Sequence, residues 1–98
     1  MKDPRDIASM AELRAEIDAI DRSLVEILAR RQRMIDRAIE LKPGEGLPAR
    51  IETRVEDVVT KVRSKASETG LDADVAEKLW RTMMEDFIAR EERVLGSE

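Results

Sequence analysis

The sequence predicts an all-α protein of three helices, the first of them very long. Charged residues make up 41% of the 98 residues and aromatic residues 2%, a balance more typical of amphipathic helices than of sheets, which are richer in aromatic and β-branched residues. Apolar residues recur at steps of three and four along three segments, and glycine and proline separate these segments. A chain of this length predicts a single domain, residues 1–98.

The first helix is predicted over residues 9–42. Ser9 followed three residues later by Glu12 is the pattern of a capping box, in which each side chain accepts from a backbone N–H of the first turn. Pro43 and Gly44 should end the helix. Its apolar stripe contains Leu13, Ile17, Ile20, Leu24, Ile27, Ile35, Ala38 and Leu41. At ~1.5 Å per residue such a helix is about 50 Å long, which the rest of one copy cannot cover. We therefore expect an intertwined homodimer.

The second helix is predicted over residues 48–68. Pro48 suits a first helical position, because its missing N–H would have had no partner there. The apolar residues include Ile51, Val55, Val58 and Val62. Their β-branched character could suggest a strand, but their spacing and the charged residues between them favour a helix. Gly70 breaks this pattern.

The third helix is predicted over residues 72–95, with Asp72 as its N-cap. Its apolar residues are Val75, Leu79, Trp80, Met83, Met84, Phe87, Ile88, Val94 and Leu95. The chain therefore alternates helices with one loop and one turn, and it contains no internal repeat.

Composition argues against several classes of protein. A net charge of −4 and a pI near 5.0 do not fit a nucleic-acid-binding protein, which usually presents a basic face. The sequence has no cysteine and no histidine, so disulfides and thiolate zinc sites are excluded, and no metal site is expected. It also lacks the ~20 apolar residues of a membrane span, and its first ten residues do not resemble a signal peptide. We expect a cytoplasmic protein that binds neither nucleic acid nor membrane.

Two cations fall on the apolar stripe of the first helix. Arg31 stands where the spacing requires an apolar residue, and a buried guanidinium needs an anion. Lys42 projects from nearly the same face roughly 16 Å further along the helix, so both side chains could reach one small anion. Alternatively, Arg31 extends past Leu28 to water, and Lys42 only complements the helix dipole.

Other charged residues could complete such a site. Arg14 lies ~25 Å before Arg31 on the same helix, so it could serve only the site of an antiparallel partner copy. Arg54 follows the loop after Lys42, and Glu91 shares a face with Phe87 on the third helix. The alternatives are that Arg54 pairs with nearby acids such as Asp57, that Glu91 faces water, and that Trp80 and Phe87 are core residues. Arg50 could likewise pair with Glu52.

The combination of these residues resembles the AroQ-class chorismate mutases. The stretches responsible are Leu13 to Asp21, Leu28 to Arg31, Lys42, Arg54 and Gly70 to Asp72. The resemblance implies an intertwined dimer of three-helix chains that converts chorismate to prephenate in aromatic amino-acid biosynthesis. The reaction is a unimolecular rearrangement that needs no cofactor, so a chain without cysteine or histidine suffices.

The resemblance also implies a role for each site residue. Arg14 would come from the partner subunit, Arg31 and Arg54 would hold the two substrate carboxylates, and Lys42 would contact the ether oxygen and a carboxylate. Glu91 takes the place of a glutamine that donates to the ether oxygen, so it would have to be protonated to donate. Val55 and Phe87 would border the substrate.

The chain departs from the mutase pattern at two positions. Ile51 and Val55 stand where mutases of this class usually carry polar groups that bind the ring hydroxyl. The same apolar residues, and an opening like Met1-Lys2-Asp3-Pro4, resemble the isochorismate pyruvate lyases, which make salicylate and pyruvate. The lyase is therefore the alternative activity, with isochorismate as the dianionic substrate instead of chorismate. A helical dimerisation module without activity is the alternative from a different class.

Overall fold

A computed structural model of the chain describes residues 2–95, and these residues form three α-helices. The long first helix, α1, spans Met10–Glu45, α2 spans Glu52–Thr69 and α3 spans Ala73–Leu95. A short 3₁₀ helix, Pro4–Asp6, precedes them, and the described part of the chain contains no strand. The predicted all-α, three-helix fold is confirmed. Within residues 2–95, no helix is both long and apolar enough to cross a bilayer.

The start of α1 confirms one half of the predicted capping box. The Glu12 backbone N–H donates to Ser9 Oγ over 3.1 Å, which satisfies a donor of the first turn. The Glu12 carboxylate accepts from the Ala8 N–H at 3.3 Å, one residue before the predicted partner. It also accepts from the Lys2 ammonium. The cap is thus shared between the first turn and the residues that precede it.

The end of α1 corrects the prediction that Pro43 and Gly44 stop the helix. Both residues lie inside its last turn. Gly46 ends the helix with a φ of 68°, a left-handed conformation that favours glycine. Its N–H donates to the Pro43 carbonyl at 3.2 Å, and the Leu47 N–H donates to the Lys42 carbonyl at 2.9 Å. These two bonds are a Schellman motif, so the glycine and not the proline sets the end.

The start of α2 is also later than predicted. Pro48 lies outside the helix, which begins at Glu52 after an extended Ile51 with φ −124° and ψ 101°. The intervening Ala49 is buried, and its carbonyl accepts from a lysine rather than from the helix. The other end agrees with the sequence: Gly70 has a φ of 86°, and the Leu71 N–H donates to the Ala66 carbonyl.

The boundaries of α3 match the prediction closely. Asp72 caps the helix, because its Oδ1 accepts from the N–H of Asp74 at 2.9 Å and of Val75 at 3.3 Å. The chain then continues helically to Leu95.

The described residues fall into two compact units that divide between Met34 and Ile35. The second unit has an apolar core, with Val58 and Trp80 packed against it. This core consists of Ala49, Val55, Val59, Met84 and Ile88. It joins α2, α3 and the residues just before α2. The single-domain organisation stays a prediction.

The first unit has an apolar face that remains open. No residue of α1 is buried. Ile17, Ile20, Leu24 and Ile27, which belong to the predicted stripe, are 45–57% exposed. Four large apolar side chains on one stripe make a surface of the kind that another helix covers.

Candidate active site

Lys42 and Glu91, two of the predicted site residues, form a partly buried ion pair in the second unit. Lys42 Nζ lies 2.8 Å from Glu91 Oε2, and the two side chains are only 16% and 5% exposed. The same ammonium donates to the Ala49 backbone carbonyl at 2.8 Å. The pair therefore joins the last turn of α1, the residues before α2 and the last turns of α3.

The local structure explains why these two groups meet. On α3, Met84, Ile88 and Glu91 are buried together, since residues three and four apart share one helix face. Glu91 therefore projects from the face that packs against the core. The interpretation in which Glu91 faces water is wrong, because its residue exposure is 4%.

The pair concentrates charge in a region of low dielectric. A buried charge is costly unless it is paired and hydrogen-bonded, and Lys42 meets both conditions. An ammonium has three donor hydrogens. Lys42 uses two of them for the Ala49 carbonyl and the Glu91 carboxylate. A desolvated ammonium of this kind can stabilise negative charge that develops on a nearby oxygen.

Arg54 lies on the exposed side of α2. Its guanidinium donates to Asp57 Oδ2 at 2.8 Å, and its side chain is 63% exposed. The Lys61 ammonium, 3.0 Å from the same oxygen, and then Arg54 hold the pKa of Asp57 below its ordinary value. The pairing with a neighbouring acid, expected as the alternative role for Arg54, is confirmed.

The apolar residues singled out by the sequence lie in different environments. Val55 is 8% exposed and belongs to the core of the second unit, whereas Ile51 is half-buried at the start of α2. Phe87 is half-buried on α3, four residues before Glu91. Trp80 packs against the core, as the sequence suggests.

Arg14 and Arg31 belong to the first unit. Arg14 is exposed on α1, and Arg31 is half-buried. The structure thus brings together Lys42 and Glu91 and pairs Arg54 with Asp57. A site that combines all five charged residues stays a prediction.

Two further ion pairs of the second unit escaped the sequence analysis. Arg50 donates through both terminal nitrogens to Glu85, at 2.9 and 2.5 Å. Arg90 Nη2 on α3 lies 3.0 Å from Asp36 Oδ1 on α1. The partners are far apart in sequence, so no local spacing indicates them. The expected contact of Arg50 with Glu52 is also present, at 3.3 Å.

The Arg50–Glu85 pair changes the acidity of both groups. The hydrogen bonds from Arg50 hold the pKa of Glu85 below its ordinary value, and the same bonds to Glu85 raise the pKa of Arg50. Both groups are therefore charged at neutral pH, and the contact is a charge-assisted, bidentate one.

The sequence profile described as chorismate mutase type II matches residues 13–92. This range includes every predicted site residue and all but the first few residues of α1 and the last few of α3. The chain belongs to this family.

Curated relatives carry several names. An isochorismate pyruvate lyase of Pseudomonas aeruginosa is 34% identical over 92 residues, which are 93% of this chain and 89% of that protein. A chorismate mutase of Methanocaldococcus jannaschii is 25% identical over 89 residues, 91% of this chain and 90% of that protein. The T-protein of Haemophilus influenzae is 30% identical over 83 residues, 85% of this chain. The chain spans only 22% of that T-protein and 23% of the one from Enterobacter agglomerans.

Proposed function

We propose that this chain is a chorismate mutase, which rearranges chorismate to prephenate. The observation that carries the proposal is the partly buried Lys42 ammonium, held by Glu91 and the Ala49 carbonyl in a chain of the chorismate mutase type II family. The reaction breaks an ether C–O bond and forms a C–C bond within one molecule. It therefore requires a shaped cationic site rather than a nucleophile.

Lys42 is the proposed catalytic cation. It would place its ammonium beside the ether oxygen, where negative charge develops as the C–O bond breaks. Glu91 would donate to the same oxygen in its protonated form. Because Glu91 accepts from Lys42 at 2.8 Å in the free chain, a substrate oxygen that approaches Lys42 also approaches Glu91. Both groups therefore act on one atom.

Arg31 and Arg54 are proposed to bind the two substrate carboxylates. Arg54 must leave Asp57 to do so, and an exposed pair of this kind contributes only about 0–1 kcal/mol. A bidentate bond to a desolvated carboxylate offsets that loss. Val55 and Phe87 are proposed as apolar neighbours of the substrate.

We propose that the active form is an antiparallel homodimer. The open apolar face of α1, with Ile17, Ile20, Leu24 and Ile27 about half exposed, supports this proposal, because a second copy of the helix carries the matching stripe. Arg14 of one copy would then complete the site of the other. The cytoplasmic location stays a prediction, to be checked by cell fractionation.

Conversion of chorismate by the purified chain tests the proposed activity, with the Lys42→Gln variant as the probe. Glutamine keeps a donor for Ala49 and Glu91 but removes the charge, so turnover should fall by roughly 10²–10³-fold. Lys65→Gln is the control, because Lys65 is an exposed lysine that pairs with Glu68 on the same helix, and it should retain the wild-type rate. Equal rates for the two variants would contradict the role of Lys42. A wild-type chain that neither binds nor converts either substrate would favour the dimerisation module.

The second candidate is isochorismate pyruvate lyase. Two observations favour it: the lyase of Pseudomonas aeruginosa is 34% identical over nearly the full length of both chains, and Ile51 and Val55 are apolar. In that reaction the ether C–O bond breaks while a ring hydrogen moves to the departing pyruvate, so the same cations serve.

A further inference from the structure

The connecting segment between α1 and α2, residues 46–51, helps to fix Lys42. The ammonium is held by one protein carbonyl, that of Ala49, and Ala49 is only 5% exposed within the core. Any movement of the connecting segment therefore moves an oxygen that bonds to the catalytic cation. The position of the ammonium depends on what holds this segment against α3.

The strongest contact of the connecting segment with α3 is made by Arg50. The Arg50 guanidinium donates to both carboxylate oxygens of Glu85, at 2.9 and 2.5 Å. Arg50 immediately follows Ala49 in the chain. A bidentate arginine–carboxylate contact fixes orientation as well as distance. The weaker contact with Glu52, at 3.3 Å, is local and cannot hold the segment to α3.

The connecting segment is thus held at two positions along α3. Glu85 binds it directly through Arg50, and Glu91 binds it through Lys42 and the Ala49 carbonyl. Six residues separate the two glutamates, about 9 Å along the helix. Two fixed points prevent a rotation that one contact would permit.

We propose that Arg50 and Glu85 are a positioning pair, which holds the connecting segment so that Ala49 and Glu91 keep the Lys42 ammonium in its reactive place. The pair does not touch the substrate. Its effect on turnover rests on the proposed function, whereas its effect on the connecting segment does not.

The chain offers a matched control for this proposal. Arg81 and Glu56 form a bidentate contact between α3 and α2, at 3.0 and 3.1 Å. Their side chains are 40% and 59% exposed, against 37% and 60% for Arg50 and Glu85. Glu56→Gln therefore removes an equivalent surface ion pair without touching the connecting segment.

Hydrogen exchange followed by mass spectrometry and steady-state kinetics test the pair together. In Glu85→Gln, amides of residues 46–51 should exchange about three- to tenfold faster, and kcat should fall by a similar factor with little change in KM, since a hydrogen bond between charged groups is lost. Glu56→Gln should change neither, while both variants keep similar midpoints of thermal unfolding. The double variant Arg50→Glu with Glu85→Arg should recover most of the lost rate and protection.

The remaining outcomes contradict either the positioning role or the proposed function. Equal effects of Glu85→Gln and Glu56→Gln, or faster exchange without loss of kcat, would contradict the positioning role, as would a double variant that stays as slow as Glu85→Gln. If the wild type converts neither chorismate nor isochorismate, the proposed function fails, and the exchange data alone decide whether Arg50 and Glu85 hold the segment.

Discussion

At the scale of single residues, the molecule buries an acid on α3 and pairs it with a lysine of α1. Glu91 is almost fully buried and shares its carboxylate with Lys42. Removal of one member of a buried ion pair commonly costs about 3–5 kcal/mol, because the other charge is left uncompensated. The pair thus contributes to the order of the second unit in addition to its proposed chemical role.

Substitution of Glu91 by glutamine separates the donor role proposed for this residue from its charge. The amide of Glu91→Gln has a similar shape, donates a hydrogen bond and still accepts from Lys42. The variant should therefore keep a measurable turnover, whereas Glu91→Leu, which cannot donate, should lose roughly 10²–10³-fold, as measured by steady-state kinetics.

The control for these variants is Glu92→Gln, which changes the adjacent and less buried acid on α3. It should retain the wild-type turnover. If Glu91→Gln is as slow as Glu91→Leu, a hydrogen-bond donor at this position does not contribute, and Glu91 has a structural role alone.

The sequence indicates which residues share a helix face better than it indicates which residues make contact between different elements. Glu91 shares a helix face with apolar residues, which is a local pattern, and of the two environments that this pattern leaves open the structure shows the buried one. The Ala49 carbonyl and the Arg50–Glu85 pair depend on how the chain turns after α1. Because these contacts join residues far apart in sequence, helical spacing gives no signal for them.

At the scale of the elements, glycines with positive φ end two of the three helices. Gly70→Ala should destabilise the fold by about 1–2 kcal/mol, because a left-handed conformation crowds a Cβ against its own backbone. Among the described residues, none beyond its chain neighbours lies within 4 Å of the added carbon, so the loss is attributed to backbone strain. Urea unfolding at a fixed protein concentration measures the change.

Gly44→Ala is the matched control for Gly70→Ala. Gly44 lies within the last turn of α1 without a positive φ, and an added Cβ there also meets no atom within 4 Å. Alanine should stabilise the chain by about 0.5–1 kcal/mol at a helical position. Equal signs for the two variants would contradict the assigned helix ends.

The helix boundaries show which local signals are strong. Asp72 and Gly70 act through their own side chain or backbone, and the structure confirms both. Pro43 and Pro48 mislead: Pro43 lies in the last turn of α1 although proline removes a helical hydrogen-bond donor, and Pro48 lies before α2 instead of at its first position. The Schellman bonds at Gly46 and the burial of Ala49 decide the boundaries there.

At the scale of the whole molecule, the proposed dimer predicts complementation between inactive variants. Arg14→Ala and Arg31→Ala chains should each be nearly inactive. A refolded equal mixture should regain about one quarter of the wild-type rate, because half of the dimers are mixed and one of their two sites carries both arginines. A mixture that stays as inactive as either parent would rule out a shared site, and an active monomer in sedimentation would do the same.

The most direct test of the proposed mutase activity is a competition between chorismate and isochorismate at equal concentrations, with products followed by NMR. The proposed mutase activity predicts that prephenate forms faster than salicylate and pyruvate, and that Lys42→Gln slows both reactions while Lys65→Gln slows neither. Salicylate and pyruvate as the main products would contradict the proposed mutase activity and assign this cationic site to the lyase reaction.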